Sequence, residues 1–145
     1  MKTLLLLFTL AFVTAQLPAA DEAWGADLPK ALDQAKTEKK MVLMDFTGSD
    51  WCPPCKSLHK NVLTSEEFSK FAKDNLVLVE LDFPKSKPQS DELKAANKEL
   101  SKKYAVRGYP TIIVLDAEGK ELFRKVGYGG TPAKDYVAEL EKLKK

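Results

Sequence analysis

Met41-Val42-Leu43-Met44-Asp45-Phe46-Thr47, followed by Gly48-Ser49-Asp50 and then Trp51-Cys52-Pro53-Pro54-Cys55, is the stretch that decides the fold. Its first seven residues are apolar except for Asp45 and the closing Thr47, the pattern of a strand covered on both faces. Gly48-Ser49-Asp50 then turns the chain. Proline suits a first helical turn, so a helix is expected from about Pro53 to Val62, with Cys55, Leu58, His59 and Val62 on one side. Two cysteines three residues apart therefore meet sulfur to sulfur at a helix start.

Outward from this unit the elements alternate. Asp27 to Lys39 reads as a helix capped by Asp27, with Pro29 in its first turn and Leu28, Ala31, Leu32 and Ala35 in a stripe. Thr64-Ser65-Glu66-Glu67 has the form of a capping box opening a helix that turns Phe68, Phe71 and Ala72 inward. Leu76 to Phe83 is a second buried strand, and Pro84 to Gln89 is a loop. Ser90 caps a helix reaching about Tyr104, with Leu93, Ala96, Leu100 and Tyr104 on one face. Thr111 to Leu115 and Glu121 to Val126 are strands joined by a turn at Asp116-Ala117-Glu118-Gly119-Lys120. Thr131-Pro132 starts a last helix with Ala133, Tyr136, Val137, Leu140 and Leu143. Strands that alternate with helices pair in parallel, and the hairpin adds antiparallel pairing. The expected class is α/β, a mixed four-stranded sheet with helices on both faces, with allowance for an extra N-terminal element.

The 145 residues suit one domain. Lys2, the apolar run from Thr3 to Val13 and the small residues Thr14, Ala15, Ala19 and Ala20 follow the order of a secretory signal peptide. The run is shorter than the roughly 20 residues a membrane span needs. Residues 1–20 are expected to be a leader, cut between Ala15 and Ala23, with residues 21–145 as the domain. Losing the first 20 of 145 residues leaves 125 and removes one lysine, which lowers the formal charge from +2 to +1. That balance gives no reason to expect nucleic acid as a partner.

A domain of this size builds a core without staples, so the spacing of its two cysteines is informative. The helix N-terminus favours a thiolate at Cys52, the expected exposed nucleophile, which forms a mixed disulfide with a substrate. Cys55, one turn in and more buried, then attacks Cys52 and releases it. Trp51 is an apolar flank. A zinc site needs a second Cys or His pair, and His59 alone remains. Haem attachment needs His after the second cysteine, where Lys56 stands. A structural disulfide over so short a loop adds little stability. No cofactor is expected, and His59 reads as a partly exposed helical residue.

These residues resemble the thioredoxin family over most of the chain after the leader. Three further features carry the resemblance: Asp45 in the strand before the cysteines, Val106-Arg107-Gly108-Tyr109-Pro110-Thr111, and Lys125-Val126-Gly127. It implies a thioredoxin fold, and an Asp45 lying beneath Cys55 with its pKa raised by burial to act as base. It also implies a cis bond before Pro110, a form found at only about 5% of X–Pro bonds, facing the cysteines. Trp51, Tyr109, Pro110 and Gly127 would edge a groove for an extended peptide that pairs with the Tyr109 backbone. The chain departs from common members in four ways. Pro53-Pro54 replaces Gly-Pro, Asp45 lies one residue further from Cys52, Thr47-Gly48 replaces an aromatic and Ala, and Pro84 to Ala95 is longer. The run Asp45-Phe46-Thr47-Gly48-Ser49-Asp50-Trp51-Cys52 is closer to the exported branch.

The resemblance implies a periplasmic or secreted thiol–disulfide oxidoreductase acting on disulfide- or thiol-containing exported proteins, apocytochromes among them. Pro53 and Pro54 have no N–H to stabilise a thiolate, so a reductase, fed by a membrane thiol donor, is expected over an oxidase or isomerase. Non-catalytic peptide binding and a metal carrier built on Cys52, Cys55 and His59 are the alternatives from other classes. A monomer is expected.

Overall fold

In the computed structural model, which describes residues 24–144, the expected leader and its cut lie outside the described residues. Met41–Thr47 form the central strand, β2, and Leu76–Asp82 form β3 beside it in parallel, Leu43 opposite Leu78 and Asp45 opposite Glu80. On its other edge β2 pairs antiparallel with β4, Thr111–Leu115, and β4 pairs antiparallel with β5, Glu121–Val126. A fifth strand, β1, is only Trp24–Gly25 and pairs in parallel with β3. The sheet order is β1-β3-β2-β4-β5, five strands rather than four. Two residues are too few to show a period of two, so the sequence did not mark β1.

Side-chain alternation along β2 divides the core. Val42, Met44 and Phe46 face α1, Leu28–Glu38, through Leu28, Ala31 and Ala35, and face α4, Asp91–Lys103, through Leu100. Leu43, Leu78, Ile112 and Val114 face the other side. That side is covered by α2, Pro53–Leu58, by α3, Glu66–Asn75, and by α5, Ala133–Glu141, through Leu58, Phe68, Phe71, Tyr136 and Leu140.

Three local expectations are corrected. The helix from Pro53 is α-helical only to Leu58, and His59–Leu63 form a π-helical turn. No capping box forms at α3, because Ser65 is the N-cap, accepting from the Phe68 N–H, and Phe68 stands where the box needs Glu or Gln. The Thr64 hydroxyl closes the preceding turn instead, against the carbonyls of His59 and Lys60. In α4 the inward residue is Asn97, at 1% exposure, while Ala96 is exposed. Asn97 is four residues after Leu93 and its amide donates to the Asp82 carbonyl at 3.0 Å, a polar residue that an apolar pattern passes over.

Phe68 is 1% exposed in the centre of the α2/α3/α5 layer. Phe68→Ala should cost about 3–5 kcal/mol, read as a lowered urea midpoint.

Candidate active site

Strand β2 ends at Thr47, and the Trp51 and Cys52 N–H groups both return to the Gly48 carbonyl, at 3.2 and 2.9 Å. That turn delivers Cys52 to the N-cap of α2, with Pro53 and Pro54 in its first two positions. Cys52 and Cys55 are joined in a disulfide with Cα atoms 5.3 Å apart, and the Cys55 N–H donates to Cys52 Sγ at 3.4 Å. Both cysteines are 3% exposed, so Cys52 is not the exposed partner expected of it. The reason is local: Sγ is turned back onto the first helical turn, held there by Cys55 through the covalent bond and the N–H.

Trp51 flanks the pair at 37% exposure. Its indole N–H donates to the Phe83 carbonyl at 2.8 Å, its ring meets Tyr109 edge-on at 5.9 Å, and the Lys85 ammonium lies 4.0 Å over it. Phe83 stacks on Tyr109 at 5.1 Å. A Cβ on Gly48 would fall 2.6–2.8 Å from the indole, which gives the departure at Thr47-Gly48 its reason: glycine makes room for Trp51. The long segment after β3 is tied to this corner. The Asp50 carboxylate accepts from the Lys85, Ser86 and Lys87 N–H groups, and the Ser86 bond is the first of several that hold it below the usual carboxylate range. Ser49 donates to Asp82 through its N–H at 2.9 Å and its hydroxyl at 2.6 Å. Sequence reasoning did not single out Ser49, Asp50, Asp82, Phe83 or Lys85, whose partners are more than 30 residues away. Asp50 beside the cysteines was their one available signal.

The Tyr109–Pro110 bond is cis, as expected. Pro110 accepts from the Gly127 N–H at 2.7 Å, and Gly127 has φ +76°. A Cβ at Gly127 would meet nothing within 4 Å, so the backbone conformation, not crowding within this chain, calls for glycine there. Trp51 meets Tyr109, Tyr109 is bonded to Pro110 and Pro110 accepts from Gly127, so the four lie side by side in the fold.

Asp45 is 4% exposed, which excludes a solvated strand-end acid. By alternation it shares the face of Leu43, the face covered by α2. Its Oδ1 has no hydrogen-bond partner among the described residues. Burial, with the charges of Glu80 and Asp82 adding to it, pushes its pKa up to about 8. Burial, followed by the Asp45 charge, likewise pushes the Tyr136 phenol up.

The family profile described as "Thioredoxin-like domain" matches residues 28–144. The chain is 37% identical over 128 residues to the disulfide bond reductase DsbH of Chlamydia pneumoniae, covering 88% of this chain and 76% of that protein. It is 34% identical to the thioredoxin-related protein DsbJ of Chlamydia pneumoniae over 73% of this chain and 30% of the other. It is 37% identical to the thiol:disulfide interchange protein DsbD of Cronobacter sakazakii over 74% and 17%. It thus spans less than a third of DsbJ and DsbD. Among solved structures, a DsbH oxidoreductase superposes with TM-score 0.77 at 33% identity, covering 98% of this chain and 94% of that one.

Two outcomes test this geometry. Gly48→Ala should displace Trp51, shifting its fluorescence in a Trp24→Phe background and slowing disulfide exchange. A carboxyl whose pKa is raised from 3.8 to about 8 on folding gives stability that is full below pH 3.8 and lost as pH rises through 8. Asp45→Asn should therefore gain on the wild type across that range, by more than about 1 kcal/mol at pH 8, in melts of the oxidised protein.

Proposed function

Because the chain belongs to the thioredoxin-like family and is a Dsb-type thiol–disulfide oxidoreductase, we propose that it works as an exported reductase of protein disulfides. In this reading residues 1–20 are the leader and residues 21–145 the working domain. The Cys52 thiolate attacks a client disulfide, forms a mixed disulfide and expels the first client thiolate. Asp45 takes the proton of Cys55, and the Cys55 thiolate attacks Cys52 Sγ and expels the second client thiolate. The client gains two electrons, and the Cys52–Cys55 pair loses two and closes. A membrane thiol donor restores the dithiol, because an oxidising compartment supplies no reductant of its own. The edge formed by Trp51, Tyr109, Pro110 and Gly127 takes the client segment in extended form, pairing with the Tyr109 backbone.

The direction rests on one observation. Among the described residues Cys52 Sγ receives a single hydrogen bond, the 3.4 Å one from Cys55, because Pro53 and Pro54 have no N–H. A thiolate so sparsely donated to is only modestly stabilised, and a pair whose reduced form is not held down by a stable thiolate gives up its electrons more readily. The reductase name carried by the DsbH relative agrees with this direction.

Equilibration in glutathione or dithiothreitol buffers should place the pair near thioredoxin's value of about −270 mV, and a value near −120 mV would make it an oxidase. Cys55→Ser should trap the mixed disulfide with a client peptide, and Cys52→Ser should abolish turnover.

A further inference from the structure

The backbone of Lys85 is pinned while its ammonium stays without an ion pair. Its N–H and those of Ser86 and Lys87 donate to the Asp50 carboxylate at 2.6–3.1 Å. Ser49, the residue before Asp50, bonds Asp82 twice and accepts from the Lys87 ammonium at 3.1 Å. The Phe83 carbonyl takes the Trp51 indole N–H at 2.8 Å. These bonds tie the chain on both sides of Lys85 to the turn that carries Trp51. From that fixed point the Lys85 side chain sets its ammonium 4.0 Å over the Trp51 ring.

Lys85 is exposed, and among the described residues no carboxylate lies within ion-pairing distance of it, whereas Lys70 and Lys125 each have one. A ring face engages one side of an ammonium and cancels none of its charge, so the group keeps N–H donors for an acceptor arriving from solvent. The acids of this corner are already engaged. Asp50 has its oxygens on the three loop N–H groups, and Asp82 has its own on Ser49. The other charged residues close to the edge in sequence are Lys56, next to Cys55, and Arg107, two before Tyr109. Both are exposed and both are basic.

We propose that Lys85 is a specificity-determining residue of the exchange reaction, favouring client segments that carry an aspartate or glutamate beside the disulfide-forming cysteine. The inference rests on the reading of the chain as a reductase whose clients lie along the Trp51 edge. Trp51 directly precedes Cys52, so a client cysteine meeting Cys52 brings its own chain neighbours to the indole and to the ammonium above it. The client carboxylate accepts from the side of the ammonium that the ring leaves open. That contact speeds formation of the mixed disulfide, in which Cys52 Sγ bonds one client sulfur and the other leaves as a thiolate. A charge at the rim of an interface acts chiefly on encounter, and salt weakens it. An exposed pair of this kind is worth a factor of about two to five.

Single-turnover reduction of three synthetic peptides by the reduced full chain tests it. Each peptide is closed by the same disulfide and differs only in the residue after its first cysteine, which is Glu, Gln or Lys. Acid-quenched samples at low ionic strength give the second-order rate constants. The wild type should reduce the Glu peptide about two- to fivefold faster than the Gln peptide, with the Lys peptide slowest. Added salt, to about 0.5 M, should compress that ranking. Lys85→Gln should bring the three rates together, and Lys85→Arg should keep them apart. Equal rates in the wild type would overturn the proposal. A ranking retained in Lys85→Gln would also overturn it, by assigning the preference to Lys56 or Arg107. So would a Lys85→Gln rate lowered by one factor for all three peptides, which would limit Lys85 to an influence on the Cys52 thiolate. A wild type that reduces none of the peptides would remove the reductase reading itself, and the proposal with it.

Discussion

Backbone pairing of β2 on both of its edges is the constraint on which the rest depends. Held in parallel by β3 and antiparallel by β4, the strand has no freedom to slide, because a one-residue slip would bring Val42, Met44 and Phe46 to the wrong helical layer. Its C-terminal end is therefore a fixed point. The Gly48 carbonyl catches the N–H groups of both Trp51 and Cys52, so the redox pair inherits the rigidity of the sheet across a turn of three residues.

The same pairing carries a penalty. A carboxyl at position 45 of a doubly paired, doubly covered strand has no route to water of its own, and its neighbour across β3 is another acid. In a pure scaffold such a juxtaposition is destabilising. In the proposed exchange, where Asp45 serves Cys55, the same burial that raises its pKa to about 8 would suit it to proton transfer. In that proposal stability and reactivity meet at one residue, and the cost falls on charge, not on packing.

On the outer side of the cysteines the segment after β3 forms a polar clamp. Asp50 gathers three consecutive N–H groups and Ser49 bonds Asp82 twice, so the segment that brings Phe83 and Lys85 onto Trp51 is fixed by hydrogen bonds more than by apolar burial. This explains how a stretch holding Pro84, Lys85, Lys87 and Pro88 comes to define one wall of the site.

The elements legible in the sequence were those whose reason is local. The apolar run of β2, the prolines opening α2, the caps Asp27 and Ser90, and the Cys52–Cys55 spacing each depend on residues within one or two turns. What escaped was non-local or too short to have a period: the two-residue β1, the inward Asn97, the π-helical turn, and the partners of Asp50, Ser49 and Trp51. Cys52 was placed at the right position but in the wrong environment, because its burial depends on where Sγ turns once the disulfide is closed. By itself the sequence determined the helix and strand order and the identity of the redox pair, since periodicity and spacing act along the chain. Only the tertiary structure decided that Asp45 is buried opposite Glu80 and that a distant loop packs on Trp51 next to the cysteines, because charge coupling and hydrogen bonding act through space between residues that the chain keeps far apart.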